Sequence, residues 1–297
     1  MTGPSQTSRA IKIDTYEDAF AGVKRYVDRG SFSTKQYLQP QRRQIQWMLQ
    51  AADQLGINTT AEGGGIMRQV AMVLDGYTGF EHAPTDLVNV YDDIVQLFAR
   101  SGTMYTPTLV VASPSTYQGE LYWYQTTDVH ANEKLAHFLT HGALDHKSRN
   151  SQRFALDEYY FLNGGAGAAP IIKAGGNVAV GGHGQVHGLA VHWELWMLAM
   201  TGMTPHEALR AGTINVATGM GMKADFGSIE IGKVADLVVL DESPLEDIQN
   251  STSIRYVMKG GELYEGDTLD MIWPTERPLR SFKFVDFGPP PKSKWIP

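Results

Sequence analysis

Apolar positions recur with a helical period in the first part of the chain. In "QRRQIQWMLQAADQLG" (41–56), Ile45, Met48, Leu49, Ala52 and Leu55 fall on one helix face, and Gly56 supplies a stop. "APTDLVNVYDDIVQLFAR" (83–100) repeats the spacing through Leu87, Val90, Tyr91, Ile94 and Phe98. Between and after these stretches come short β-type runs, "INTTAEGGG", "MYTPTLVVA" and "GGNVAVGGH", each ending near glycine or a polar residue. Thr204, Pro205 and Glu207 form a capping box with proline at the first helical position, opening a further helix. Strands that alternate with helices predict βα units around a parallel sheet.

The texture changes near residue 227. "GSIEIGKVADLVVLD" and "SIRYVMKGGELYEG" are strand-like pieces separated by glycine-rich turns, with no long helix between them. The pattern divides the chain into an α/β domain over 1–226, a small β subdomain over 227–266 and an extended, proline-rich arm over 267–297. Residues 112–150 form the longest stretch that reads as irregular, with Tyr117, Tyr122, Trp123 and Tyr124 near its start. Two readings stand side by side: a lid or binding loop, and aromatic packing over one end of the sheet. Tyr105, Tyr122 and Trp123 are the expected substrate-binding aromatics.

Composition narrows the classes. A net charge of −7 over 297 residues gives no reason to expect nucleic acid or an anionic membrane as partner. No run approaches the roughly 18 apolar residues of a membrane span, and "MTGPSQTSRA" lacks a hydrophobic signal core, so a cytoplasmic chain is expected. The absence of cysteine excludes disulfides, thiolate metal sites and a cysteine nucleophile. There is no Gly-x-Ser-x-Gly elbow, no phosphate loop and no dinucleotide fingerprint.

In parallel βα folds the chemistry gathers at the C-terminal ends of the strands. Lys35 in "SFSTKQY", Glu62 in "INTTAEGGG", His82 in "TGFEHAP" and His183 in "VAVGGHG" occupy such positions on four different strands. Imidazole and carboxylate together suit zinc and similar ions, or acid–base work. His187 is a supporting candidate and His192 reads as structural. Strand alternation places Glu81 on the face opposite His82, which makes it structural as well.

The C-terminal part closely resembles the amidohydrolase superfamily, in its imidazolonepropionase-like branch. The resemblance rests on "HWELWMLAMTGMTPHEALRAGTINVATGMGM" and "GSIEIGKVADLVVLDESPLEDIQNSTSIRYVMKGGELY", and extends back through "GFEHAP", "TAEGGG" and "FSTKQY". It implies a (β/α)8 barrel with a small β-sandwich and one or two divalent metals at the barrel mouth. The family ligands it implies are a His-x-His pair on the first strand, a carboxylated lysine on the fourth, histidines on the fifth and sixth, and an aspartate on the eighth. Lys35 matches the lysine and His82 the sixth-strand histidine. Glu62 stands near the fifth-strand histidine position and His183 near the aspartate position. No His-x-His exists in the chain, and about five barrel strands can be counted. The chain is therefore expected to be the C-terminal portion of a longer amidohydrolase, a partial barrel that self-associates to cover its open edges.

The resulting expectation is a hydrolase of amide, cyclic amide or ester bonds, with metal-bound water as nucleophile. One divalent ion, zinc first, is expected on Lys35, Glu62, His82 and His183, with His183, Glu62 and Lys35 as catalytic groups. The alternatives are a metal-free hydrolase using His183 or His82 with Glu62, and a non-catalytic scaffold.

Overall fold

The computed structural model describes residues 11–37, 41–86, 89–112, 119–149, 153–184 and 186–280, apart from the Lys147 side chain. Leu87 and Tyr117, two of the apolar and aromatic positions singled out above, lie outside the described residues.

Helix α1 (Tyr16–Val27) leads into strand β1 (Ser33–Gln36), α2 (Arg42–Gln54), β2 (Asn58–Glu62), α3 (Ile66–Asp75), β3 (Gly79–Glu81), α4 (Asp92–Ser101) and β4 (Met104–Thr106). The helices α5 (Gly119–Thr126), α6 (Glu133–Phe138), α7 (His141–Ser148), α8 (Phe161–Gly165) and α9 (Ala168–Lys173) precede β5 (Asn177–Val178). Then come α10 (Leu189–Met200), α11 (Pro205–Ala211) and α12 (Ile214–Gly219). The five strands form one parallel sheet in chain order, as the βα alternation predicts for a partial barrel.

Helix α2 buries Ile45, Met48, Ala51 and Ala52, and Gly56 turns the chain with φ 67°, a conformation glycine adopts without strain. The capping box at Thr204 forms as read: its hydroxyl accepts from Glu207 N at 3.2 Å, and the Glu207 carboxylate accepts from Thr204 N at 2.7 Å. The 112–150 stretch is not irregular, since α5, α6 and α7 occupy much of it. They are short, and the apolar residues of α5 lie all round rather than in a stripe, so no period betrays them.

Register separates two faces of the sheet. Lys35 pairs with Thr60, Thr60 with Gly79, and Gly79 with Met104; two residues on, Glu62 pairs with Glu81 and Glu81 with Thr106. Because parallel partners point the same way, Lys35, Thr60, Glu62, Glu81 and Thr106 share the inner face. The opposite face carries Ala61, Phe80, Tyr105 and Val178, all buried under the helices. Ring contacts of 4.8 Å between Phe80 and Phe98 and 5.3 Å between Phe80 and Tyr105 fill that layer. The lower half of the inner face is closed by α12, where Asn58 Nδ2 donates to Met220 O and Asn215 Nδ2 donates to Val178 O, each at 3.1 Å.

A second, antiparallel sheet holds β6 (Leu237–Leu240), β7 (Ile254–Lys259), β8 (Glu262–Glu265) and β9 (Met271–Trp273). It continues past residue 266, because Met271–Trp273 pairs with β8 and Met271 bridges Arg277. Helix α10 carries this layer. Trp196 Nε1 donates to Ile248 O at 3.0 Å, and the His192 ring shares a 3.0 Å hydrogen bond with the Ser251 hydroxyl. Burial and then the Lys134 charge push His192 down to about 4, which keeps it neutral in this structural contact.

Candidate active site

The C-terminal ends of β1, β2 and β3 bring three predicted residues into direct contact. Lys35 Nζ lies 2.9 Å from Glu62 Oε2, and His82 Nε2 lies 2.8 Å from Glu62 Oε1. The lysine approaches off the hydrogen-bonding line, so Oε2 has a charge contact but no hydrogen bond. Burial pushes the Glu62 pKa up, yet the contacts from His82 and Lys35 together outweigh it and hold the group below the usual glutamate range. Glu62 is thus an ionised carboxylate in a largely enclosed position.

His82 reaches Glu62 through its backbone. Strand β3 ends at Glu81, and His82 takes a left-handed conformation with φ 72°. A non-glycine residue holds that conformation only where its surroundings fix it. Here His82 N donates to Thr106 O at 2.7 Å, and the wholly buried Gln69 of α3 donates from Nε2 to His82 O at 3.0 Å. The twist also corrects the expectation for Glu81. Alternation would separate neighbours only if both lay in the strand. Register instead sets Glu81 beside Glu62, and the turn at His82 brings its ring to the same side. Burial raises the Glu81 carboxyl, with Lys35 and His82 pulling against it.

Gly63 allows this close packing. A Cβ there would stand 2.6 Å from both Glu81 O and Gln69 Nε2. Gly63→Ala is expected to destabilise the chain by about 1–3 kcal/mol through overpacking, which urea unfolding of the two proteins would measure.

His183 lies beyond β5 with φ 50°, and its ring stands 5.4 Å from that of His82, edge to face. It is exposed and faces the group across the mouth; His187 is also exposed. The mouth is braced from behind by Glu194, which the sequence reading passed over. Glu194 is fully buried on α10, and its carboxyl accepts from Leu109 N at 2.8 Å and Val110 N at 3.0 Å. Burial pushes it up to about 8, against the pull of the N–H groups of Leu109, Val110, Thr108 and Gly181. One carboxyl thereby ties α10 to the turns after β4 and β5. A single acidic residue within "LAVHWELWMLAM" was the available signal, since an apolar helix with one carboxyl must find it partners.

The aromatic residues expected to bind substrate serve packing. Tyr105 sits on the helix-covered face, 1% exposed. Trp123 is buried against Trp193 and Trp196, with ring centroids at 6.3 and 5.0 Å. Tyr122 packs on Trp123, Tyr159 and Phe161.

A five-stranded parallel sheet with its polar groups at one mouth matches what the profile comparison finds: the Amidohydrolase family profile covers residues 41–264. The chain belongs to the amidohydrolase family. Curated proteins to which it is similar include ochratoxinase and imidazolonepropionase. Ochratoxinase of Aspergillus niger is 36% identical over 99 residues, 32% of this chain and 21% of the enzyme. Imidazolonepropionase of Shouchella clausii (strain KSM-K16) is 36% identical over 120 residues, 37% of this chain and 27% of the enzyme. Among solved structures, A. niger ochratoxinase superposes with a TM-score of 0.62 at 20% identity, over 89% of this chain and 59% of that one. A Xaa-Pro dipeptidase with methionine in its active site gives 0.62 at 19% identity, over 85% and 59%. The amidohydrolase-family chain thus spans about three-fifths of the solved structures it resembles, and five parallel strands in chain order fit a partial barrel of that fold.

Proposed function

We propose that the chain hydrolyses amide, cyclic amide or ester bonds at the mouth formed by Lys35, Glu62, His82 and His183. The observation that carries this reading is the ionised Glu62, held between Lys35 and His82 at the ends of three adjacent strands. Such a group sits where parallel βα folds concentrate their chemistry. Family membership and the hydrolase names of the relatives support the reaction class.

The donor types suit a divalent ion, and His183 would have to close toward the Glu62–His82 pair to complete the set, since the three ligand atoms do not all lie within 4.8 Å of one another. One carboxylate and two imidazoles are the ligand types zinc takes, and Glu62 Oε2 is a buried acceptor without a hydrogen bond. Glu62, His82 and His183 would hold the ion, with Lys35 in the place of the family lysine. Bound there it would supply Lewis acidity toward a carbonyl oxygen. The chain's own groups do the rest: Lys35 keeps Glu62 ionised, and Gln69 fixes the backbone that aims His82.

A second reading is favoured by the 2.8 Å contact itself. With its Nε2 proton held by Glu62, the His82 ring presents the other nitrogen as a base toward water, as an oriented imidazole does in acyl transfer. Chelation separates the two. Loss of turnover on removal of metal and recovery with zinc supports the metal reading; unchanged turnover supports the imidazole base. An intact chain with no turnover on a panel of amides, cyclic amides and esters overturns both and leaves the scaffold.

We also infer that the isolated chain self-associates. Among the described residues β1 and β5 each pair on one side only, and the second sheet leaves Val238 and Trp273 each 57% exposed. Light scattering is expected to give a mass above one chain; a stable monomer would contradict it.

A further inference from the structure

Among the described residues, the three His or carboxylate side chains whose ligand atoms all lie within 4.8 Å of one another are His130, His141 and Asp145. They are not part of the strand-end group. We propose that they form a separate binding site for a zinc-like divalent cation, closing the α5–α7 segment onto itself.

The spacing carries the proposal. His130 Nε2 stands 3.4 Å from Asp145 Oδ1, and His141 Nε2 stands 3.3 Å from Asp145 Oδ2. In a tetrahedral site with bonds of about 2.0–2.1 Å, neighbouring ligand atoms are about 3.3 Å apart. Each His–Asp separation has the length of one such edge, but the two end on different carboxylate oxygens, so one Asp145 oxygen must turn to serve both histidines; the two rings stand with centroids 5.1 Å apart. His141 and Asp145 lie four residues apart on α7, which puts both on one helix face. His130 comes from the turn between α5 and α6, so the cation would join two segments that the backbone leaves separate.

The surroundings suit a three-ligand site with an open position. Asp145 is the enclosed member at 17% side-chain exposure, while the His141 side chain is 62% exposed. A cleft of about 400 Å³ adjoins it, lined by Tyr124, Thr127, Asp128, His130, Asp145 and Ser148, so a fourth position can take water or a small ligand. Two contacts must yield. Arg149 now pairs with Asp145, but its side chain is 75% exposed and can swing into solvent. The His130 Nε2 contact with the Ser148 hydroxyl, 3.0 Å, is replaced by the cation, with the ring proton on Nδ1. Ser148 keeps its own bond to Leu144 O at 2.8 Å.

The test titrates the full chain with zinc against a chromophoric chelator, and repeats it with cobalt(II) to read ligand geometry from the visible spectrum. The parent, His141→Ala, Asp145→Asn and Glu62→Gln are compared. His141 is exposed, so its replacement leaves folding intact. The expected result is a zinc equivalent whose affinity falls by about a hundredfold or more in His141→Ala and Asp145→Asn and that Glu62→Gln retains; a second equivalent, at the strand-end group, is the one that Glu62→Gln removes. A tetrahedral cobalt spectrum lost in His141→Ala supports the same site. Zinc bound equally by the parent and His141→Ala, zinc lost only in Glu62→Gln, or no zinc bound by the parent would each overturn the proposal.

Discussion

Replacing Glu194 by alanine is expected to lower the unfolding free energy by about 3–5 kcal/mol, enough to unfold a marginal domain. Two effects add. The fully buried N–H groups of Leu109 and Val110 lose the acceptor that satisfies them, and the removed side chain leaves a void beneath the mouth. Glu194→Gln retains most of the volume and an acceptor oxygen, so it is expected to lose less. The two variants differ in a second way that separates hydrogen bonding from charge. Burial raises the Glu194 carboxyl from its ordinary 4.5 to about 8. Between those pH values the folded chain holds a proton that the unfolded chain releases. Stability from this group is therefore fully present below about pH 4.5 and falls as pH rises toward 8, by about 1.4 kcal/mol per pH unit at most. Denaturant unfolding at several pH values should show that slope in the parent and its loss in Glu194→Gln. An alanine variant as stable as the parent would remove the brace from this account.

Glu62→Gln is expected to lower turnover by about 10²–10⁴-fold with the fold retained. The substitution keeps the shape of the side chain but removes the charge that both Lys35 and His82 contact. Under the metal reading it weakens a ligand; under the imidazole reading it removes the group that orients the base. The loss should therefore fall on kcat rather than on KM. The depressed pKa of Glu62 adds a pH effect of opposite sign to that of Glu194. Its contribution to stability is present above the unfolded value near 4.5 and is lost as pH falls through the lower folded value.

Much of this site could be read from single positions. Lys35, Glu62 and His82 each follow a β-type run, and parallel strands in chain order bring such residues to one mouth. What escaped the reading was set by backbone conformation and burial. Alternation separates Glu81 from His82 only if both lie in the strand, and the chain leaves the strand at His82 with φ 72°. Gln69 gives no signal at all, since its role is to hold one carbonyl after the fold has formed. Tyr105 follows a β-type run as a binding residue would, but its strand parity with Phe80 places it under the helices. His130, His141 and Asp145 come together only because α7 packs against the α5–α6 turn, which no period in the sequence announces.

The central claim is that the strand-end group is a hydrolytic centre. The most direct measurement is turnover of an amide, cyclic amide and ester panel by the purified chain and by Glu62→Gln, with circular dichroism confirming that both are folded. The account predicts measurable hydrolysis by the parent that falls by at least about a hundredfold in the variant. Equal turnover by the two folded proteins would contradict it.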